Sequence, residues 1–352
     1  MDLHTAVSVS MLSLSRVRVC TTFKELRQQD PDASVALLLE VLGASPGLGN
    51  AARAAADVAL RAGAASGMEP LPWFDSRYPA LLACTADPPP VLWTLGDPAV
   101  LARPAVAIVG SRAATPYALD VGGRLAAELA ERAIVVASGL ARGVDSAAHR
   151  GSLQAGGPTV AVLGSGLDRV YPAEHEPLAR AIAANGVVAS ELGPGAVPLP
   201  EHFPLRNRII SGISLAVVVV EASESSGSLI TARCALDQGR DVMAVPGNVL
   251  SGRNRGSHRL LKDGAKVVES ADDILEEIGW PSVRSPGPAP QGSVGSDPLL
   301  ARMEPGEVYR LDELVAATAI APAKLLPRLM ELELGGQVSS VGGRFARVIA
   351  RR

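Results

Sequence analysis

The sequence predicts a doubly wound α/β domain built on a mostly parallel sheet, and three observations point to it. Between residues 105 and 280, short Val/Ile/Ala runs recur at 105–110, 134–138, 159–163, 187–191, 215–221, 241–245 and 266–269. Helical stretches at 116–131, 144–155, 228–239 and 272–279 fall between them. The strand runs are apolar throughout rather than alternating, the pattern of strands covered on both faces. In such folds ligands sit outside the carboxyl ends of the strands.

The first strand, "VAIVGSR" (106–112), ends on Gly110, Ser111 and Arg112. Thr115-Pro116 follows, a cap residue with proline at the first helical position. Arg112 is therefore expected in a strand-to-helix turn beside free N–H groups and a positive helix end, a setting that suits an anion. The second strand ends in "SGLARGVDSAAH" (138–149), the third in "LGSGLDRVYP" (163–172), and the fifth runs into "EASESSGSLITA" (221–232). Ser/Gly turns converging on one sheet edge are expected to bind a chain of phosphates; taken singly, each is a tight βα turn.

Residues 1–70 read as a small helical domain. Its helical stretches, 35–44 and 51–62, are joined by "SPGLGN" (45–50). A Pro-Gly-x-Gly turn of this kind resembles a helix-hairpin-helix, and it serves equally as a plain αα-hairpin. Pro-rich "DPPPVLWTLGD" (87–97) bridges into the α/β domain, 71–280. "PSVRSPGPAPQGSVGSDP" (281–298) is a linker without a core. The last unit, 299–352, has helical stretches at 311–318 and 322–334 before a Gly-Gly hairpin (337–348), a winged-helix-like pattern. Such modules bind DNA or proteins.

Composition narrows the function classes. The 352 residues are 47% hydrophobic and 20% charged, as in ordinary globular proteins, and the net charge is −3, which leaves room for a local basic groove. No run is long enough for a membrane span and no secretion signal is legible, so a cytoplasmic protein is expected. Cys20, Cys84 and Cys234 are too scattered for a zinc site or a disulfide framework. G-x-G-x-x-G at the first helix, G-x-x-x-x-G-K-[ST] and H-E-x-x-H are all missing, so no dinucleotide, Walker-type nucleotide or metal is expected. Asp145 and His149 lie four apart near Ser138, but without G-x-S-x-G a hydrolase triad is not the reading. "FPLRNRIISGIS" (203–214) places Arg206 and Arg208 at a helix start, either as surface charges or facing inward to phosphate.

Six ordered blocks then carry a resemblance: "VAIVGSR", "SGLARGVDSAAHRGSL", "TVAVLGSGLDRVYP", "FPLRNRIISG", "EASESSGSLITA" and "VPGN…GSHRLLKDGAKVV". Together they resemble the DNA-processing protein A family (DprA, also called Smf) over about 70–280, and the flanking regions are similar to those of longer members. The resemblance implies an extended Rossmann-like domain that forms a homodimer and binds single-stranded DNA. It also implies protection of incoming strands in natural transformation and loading of the RecA recombinase, with no cofactor and no catalysis. Arg112 matches the family's key DNA arginine. The implied DNA site comprises Gly110, Ser111, Arg112, Ser138, Gly139, Arg142, Gly164, Ser165, Gly166, Asn207, Arg208, Ser226, Gly227 and Ser228. His258, Leu261 and Val267 match the dimer interface. Some members carry a DNA-contacting lysine where this chain has Ala173.

Aromatic residues are only 3% of the chain, and Tyr117 and Tyr171 are those expected near the loops, so phosphate contacts should dominate and sequence preference should be slight. One competing reading is a phosphoribohydrolase of the lysine-decarboxylase-like family acting on nucleoside monophosphates. Its Pro-Gly-Gly-x-Gly-Thr loop is followed by a catalytic glutamate, whereas Ser226–Ala232 here has no acid behind it. A third is an adaptor whose contacts are all with proteins.

Overall fold

The computed structural model describes residues 2–12, 16–29, 35–43, 46–280, 297, 299–304, 307–318, 320–334, 337–341 and 344–347. The chain divides into two compact units, 1–282 and 283–352. The first opens with helices α1 (Leu3–Ser10), α2 (Arg16–Gln29), α3 (Val35–Val41) and α4 (Pro46–Ala65). Next come β1 (Glu69–Pro72), α5 (Ala80–Ala83) and β2 (Val91–Gly96). The alternating part runs β3 (Ala105–Val109), α6 (Pro116–Glu131), β4 (Val135–Ser138), α7 (Val144–Gln154), β5 (Thr159–Leu163) and α8 (Glu176–Asn185). It continues through β6 (Val187–Ser190), α9 (His202–Gly212), β7 (Ala216–Val219), α10 (Ser228–Asp237) and β8 (Asp241–Ala244). It closes with α11 (Arg255–Lys262), β9 (Lys266–Val267) and α12 (Ala271–Glu277).

Nine strands form one sheet in the order β1-β2-β6-β5-β4-β3-β7-β8-β9. From β6 to β9 every neighbouring pair is parallel. β2 joins β6 antiparallel, with Trp93 opposite Ser190, and β1 pairs antiparallel with β2. The chain leaves β3 toward β4 and later returns to the other flank of β3 as β7, so the topological switch lies between β3 and β7. Along β3, Ala105, Ala107 and Val109 pack on one face with Ile209 and Ile210 of α9 and Ile213 just past its end. Val106 and Ile108 pack on the other with Leu125 and Leu129 of α6 and Val144 and Ala148 of α7. Burial on both faces is why these strands carry continuous apolar runs.

β2 falls in the Pro-rich segment 87–97 expected as a bridge, and β1, "EPLP", straddles the expected domain boundary at 70/71. Proline is tolerated there because β1 is an edge strand and Pro88, Pro89 and Pro90 precede β2. The expected turn at 45–50 is largely helix. Pro46 to Gly49 form the first turn of α4, and a Cβ on Gly49 would stand 2.5 Å from Leu39 Cδ1. Glycine here serves close helix packing rather than a ligand. α1 and α4 pack through Ala6, Val7, Ala56 and Ala59 onto Trp93, Leu163 and Val188 of the sheet, so the N-terminal helices share the unit of the α/β domain.

The expected linker, 281–298, lies outside the described residues except Asp297. In the second unit β10 (Val308–Arg310), α13 (Leu311–Thr318), α14 (Pro322–Leu334), β11 (Val338–Val341) and β12 (Arg344–Arg347) follow one another. The strands form an antiparallel sheet in the order β10-β12-β11. Leu314, Leu325, Leu329, Val338 and Phe345 fill its core. No helix among the described residues is long and apolar enough to cross a membrane.

Candidate nucleic-acid interface

The carboxyl ends of β3, β4 and β5 and the first turns of α9 enclose a cleft. Arg112, Gly139, Arg142, Tyr171, Phe203 and Arg206 line it. α9 contributes Phe203, Arg206 and Asn207 on one face, as the three- and four-residue spacing of a helix requires. The exposed Arg112 guanidinium lies 5.4 Å from the centre of the Phe203 ring, a cation–π contact. Phe203 in turn packs 5.4 Å from the Tyr171 ring, which is 43% exposed. The cleft thus carries a cationic and aromatic ledge. Phe203 was missed as a site residue although it heads the "FPLRN" block, because an aromatic beside an apolar helix reads as core. Tyr117 is not part of the ledge: half-buried, it packs against the second core and donates from its hydroxyl to Pro246 O at 3.2 Å.

Beneath the ledge Arg206 is buried, donating from Nη1 to Val162 O at 2.9 Å. Burial pulls its pKa down to about 10; nearby Asp145 works against that fall, and the charge of Arg112 adds to it. Two guanidiniums that repel each other in one cleft, with a single buried carboxylate between them, leave the site positive. The Asp145 carboxylate accepts from Gly139 N (3.1 Å) and Ala141 N (3.4 Å), and burial raises its pKa. Gly139 is required by close approach: a Cβ there would stand 1.6 Å from Arg206 Nη1. Leu140 holds a left-handed φ of 58° in this loop, a strained backbone for a residue with a side chain, and its carbonyl accepts from His175 Nδ1 at 2.8 Å.

Some of the loop amides expected to cradle phosphate hold the chain's own carboxylates instead. Glu221, buried at the end of β7, accepts from Thr115 N (3.3 Å) and Thr115 Oγ1 (2.6 Å), so the amino end of α6 already has its anion. Asp145 occupies the β4 loop as described. Asp168 accepts from Gly195 N at 2.9 Å beside the 164–166 loop. The positive character of the edge therefore comes mainly from guanidiniums. Of the setting expected for an anion, Glu221 takes the Thr115 side, and Arg112 remains exposed.

Several expected site residues are engaged elsewhere. The Ser138 hydroxyl is buried and donates to Ile108 O (2.7 Å); that of Ser165 donates to Arg169 O (2.7 Å). Arg142 is exposed but holds Glu174 in a two-pronged pair at 2.7 and 2.8 Å. Arg208 faces away from the cleft. It is buried against Glu191 at 2.8 Å and Asp87 at 3.2 Å, beside the buried thiol of Cys20. Burial alone would lower its pKa, but Glu191 foremost holds its proton more firmly than usual. Arg208 is corrected to a residue that ties α9 to α2 and the segment before β2. Gly110, Ser111 and Gly164 remain at the strand ends; Ser111 N donates to Glu221 O (2.7 Å) and Gly166 N to Ala196 O (2.8 Å). Asn207 Nδ2 reaches Gly227 O at 3.4 Å, and Ser226 and Ser228 share a hydroxyl contact of 2.8 Å, which ties that loop to the cleft face of α9.

A hydrolytic reading gains nothing from this geometry. His149 is buried, its pKa pushed down to about 3 by burial and then by Arg206, and its Nδ1 pairs with Thr159 Oγ1 at 2.8 Å. Among the described residues no cluster of His, Cys, Asp and Glu is suited to a metal ion. Of the residues matched to a dimer face, Val267 is 46% exposed on β9, the sheet edge. Leu261 is half-buried, and His258 Nε2 contacts Gly247 O at 3.0 Å.

Comparison with known proteins follows the same lines. The chain matches the family model for DNA recombination-mediator protein A over residues 70–279 and that for the DprA winged helix domain over residues 283–344. It is 38% identical over 281 residues to Protein Smf of Escherichia coli strain K12, covering 77% of this chain and 75% of that protein. The X-ray structure of DNA processing protein A from Streptococcus pneumoniae matches with a TM-score of 0.71 at 35% identity, covering 79% of this chain and 98% of that one. DNA processing protein A from Helicobacter pylori, whose structure is described for its single-stranded DNA binding mode, matches with a TM-score of 0.55 at 30% identity, covering 60% of this chain and 95% of that one. This chain belongs to the DNA recombination-mediator protein A family, the DprA/Smf proteins.

Proposed function

We propose that this protein binds single-stranded DNA along the carboxyl edge of its sheet, without catalysis and with little sequence preference. One observation carries the reading: Arg112 stands exposed over Phe203, above the buried Arg206, in a cleft that has an aromatic wall and a single buried carboxylate. A guanidinium takes a phosphate and a ring face takes a base, the two contacts a single strand offers together. The likeness to the Helicobacter pylori protein supports the same ligand. We further propose that the protein acts as a cytoplasmic homodimer, pairing through the face of His258, Leu261 and Val267. Two modest sites on one strand raise affinity through effective concentration. In this reading it protects incoming DNA and loads RecA recombinase in natural transformation.

No observation favours a phosphoribohydrolase, since Ser226–Ala232 offers no acid and Asp145 is held by Gly139 and Ala141. Titration of labelled single- and double-stranded oligonucleotides at several salt concentrations tests the proposal. Preference for the single strand, weakening as salt rises, is the expected result; equal or no binding would overturn it. Charged residues at both Leu261 and Val267 should yield a monomer with weaker binding in sedimentation and titration, and a persistent dimer would place the interface elsewhere.

A further inference from the structure

The loop between β8 and α11 ends in a feature the cleft does not use. Val249 and Leu250, consecutive at its tip, are 75% and 91% exposed, the most exposed large apolar residues among those described. The loop is built to hold them there. Leu250 N donates to Asn248 Oδ1 at 2.7 Å, and the buried Asn254 donates from Nδ2 to Asn248 O at 3.4 Å. Its base is tied to the Arg112 turn: Arg253 Nη1 donates to Ala113 O at 2.9 Å, and Tyr117 Oη reaches Pro246 O. Arg253 and Arg255 are both exposed, and among the described residues neither has a carboxylate partner.

We propose that Val249 and Leu250 form an apolar rest for bases of a single strand that runs on past Arg112, with Arg253 and Arg255 meeting its phosphates. The proposal rests on single-strand binding at the cleft. Arg112 lies between the cleft and this loop, since the β8 loop is tied to the residues that follow it, so one strand along the sheet edge meets both. A double helix hides its base faces and offers nothing to an apolar tip, whereas a single strand offers base faces and phosphates side by side. An apolar tip followed by two exposed arginines that have no carboxylate partner among the described residues matches that alternation. A protein partner would call for a broad apolar patch rather than a two-residue tip.

The test uses the full-length protein and a labelled oligothymidylate, titrated across a salt series for the parent, Val249→Ser/Leu250→Ser, Arg255→Ala and Arg112→Glu. The double serine variant should bind about fivefold more weakly, the effect expected of a few tens of Å² of lost apolar contact per residue. Its slope against log salt should be unchanged, while that of Arg255→Ala should fall by roughly 0.7. Parental affinity in the double serine variant, with binding lost in Arg112→Glu, would overturn this inference and leave the cleft standing. Parental binding in Arg112→Glu would remove the cleft and the inference with it. Conversion of a dimer to a monomer by the serine pair in sedimentation would assign the tip to an interface between copies and overturn the inference.

Discussion

Arg206 and Arg208 sit two residues apart on α9 and live in opposite surroundings. Two residues of an α-helix are about 200° apart, so if one faces the cleft the other must face the core behind it. Burial lowers the pKa of Arg206; its one carboxylate, Asp145, opposes that fall and a second guanidinium adds to it. Arg208 meets two carboxylates, Glu191 and Asp87, and is held charged. The first arrangement leaves positive charge uncompensated toward solvent and suits a ligand. The second closes its charge balance inside the protein and suits assembly of the fold. An arginine-rich motif thus divides into a binding half and a structural half, and helix phase decides which is which.

Breaking the structural half should have the largest effect on stability. Arg208→Ala leaves buried Glu191 and half-buried Asp87 without their cation, at a cost of about 3–5 kcal/mol. Thermal unfolding should show a fall of several degrees or more, and single-strand affinity of the protein that remains folded should match the parent. Intact stability would mean that Arg208 is free to serve the cleft. Arg206→Gln should cost less, about 1–3 kcal/mol, because Asp145 keeps the N–H groups of Gly139 and Ala141. Its single-strand binding should nevertheless weaken, so the two variants should rank oppositely in melting and in titration.

Ala173 provides the smallest and sharpest test. It is exposed at the start of the 3-10 turn Ala173–His175, next to Glu174, which holds Arg142. Ala173→Lys should tighten single-strand binding and steepen the salt dependence by roughly 0.7 in log–log slope, the release expected for one more phosphate contact. Duplex binding should change little. A parental slope would show that this turn does not face the strand.

Much of the scaffold was legible because burial on two faces writes itself into sequence as continuous Val/Ile/Ala runs. α6 begins at Pro116, where Thr115-Pro116 signals a start. Partnerships across long separations were not legible. Glu221 holds Thr115, the N-cap of α6, from 106 residues away, and nothing local to Gly110-Ser111-Arg112 announces it. The periodicity of α9 separates Arg206 from Arg208, but which face meets Glu191 depends on where α2 and β6 bring their own residues. Phe203 stands in the "FPLRN" motif, yet its role is not legible there, because an aromatic residue's role depends on whether its ring meets core or cleft.

On the proposed reading, uncompensated guanidinium charge on the aromatic ledge binds the strand. The most direct measurement is the affinity of Arg112→Glu for a labelled single-stranded oligonucleotide, taken beside the parent with melting temperatures for both. Arg112 is exposed, so the melting temperature should hold, and loss of a charge-assisted contact should weaken binding roughly 10- to 100-fold. Parental affinity in a folded Arg112→Glu protein would contradict the account.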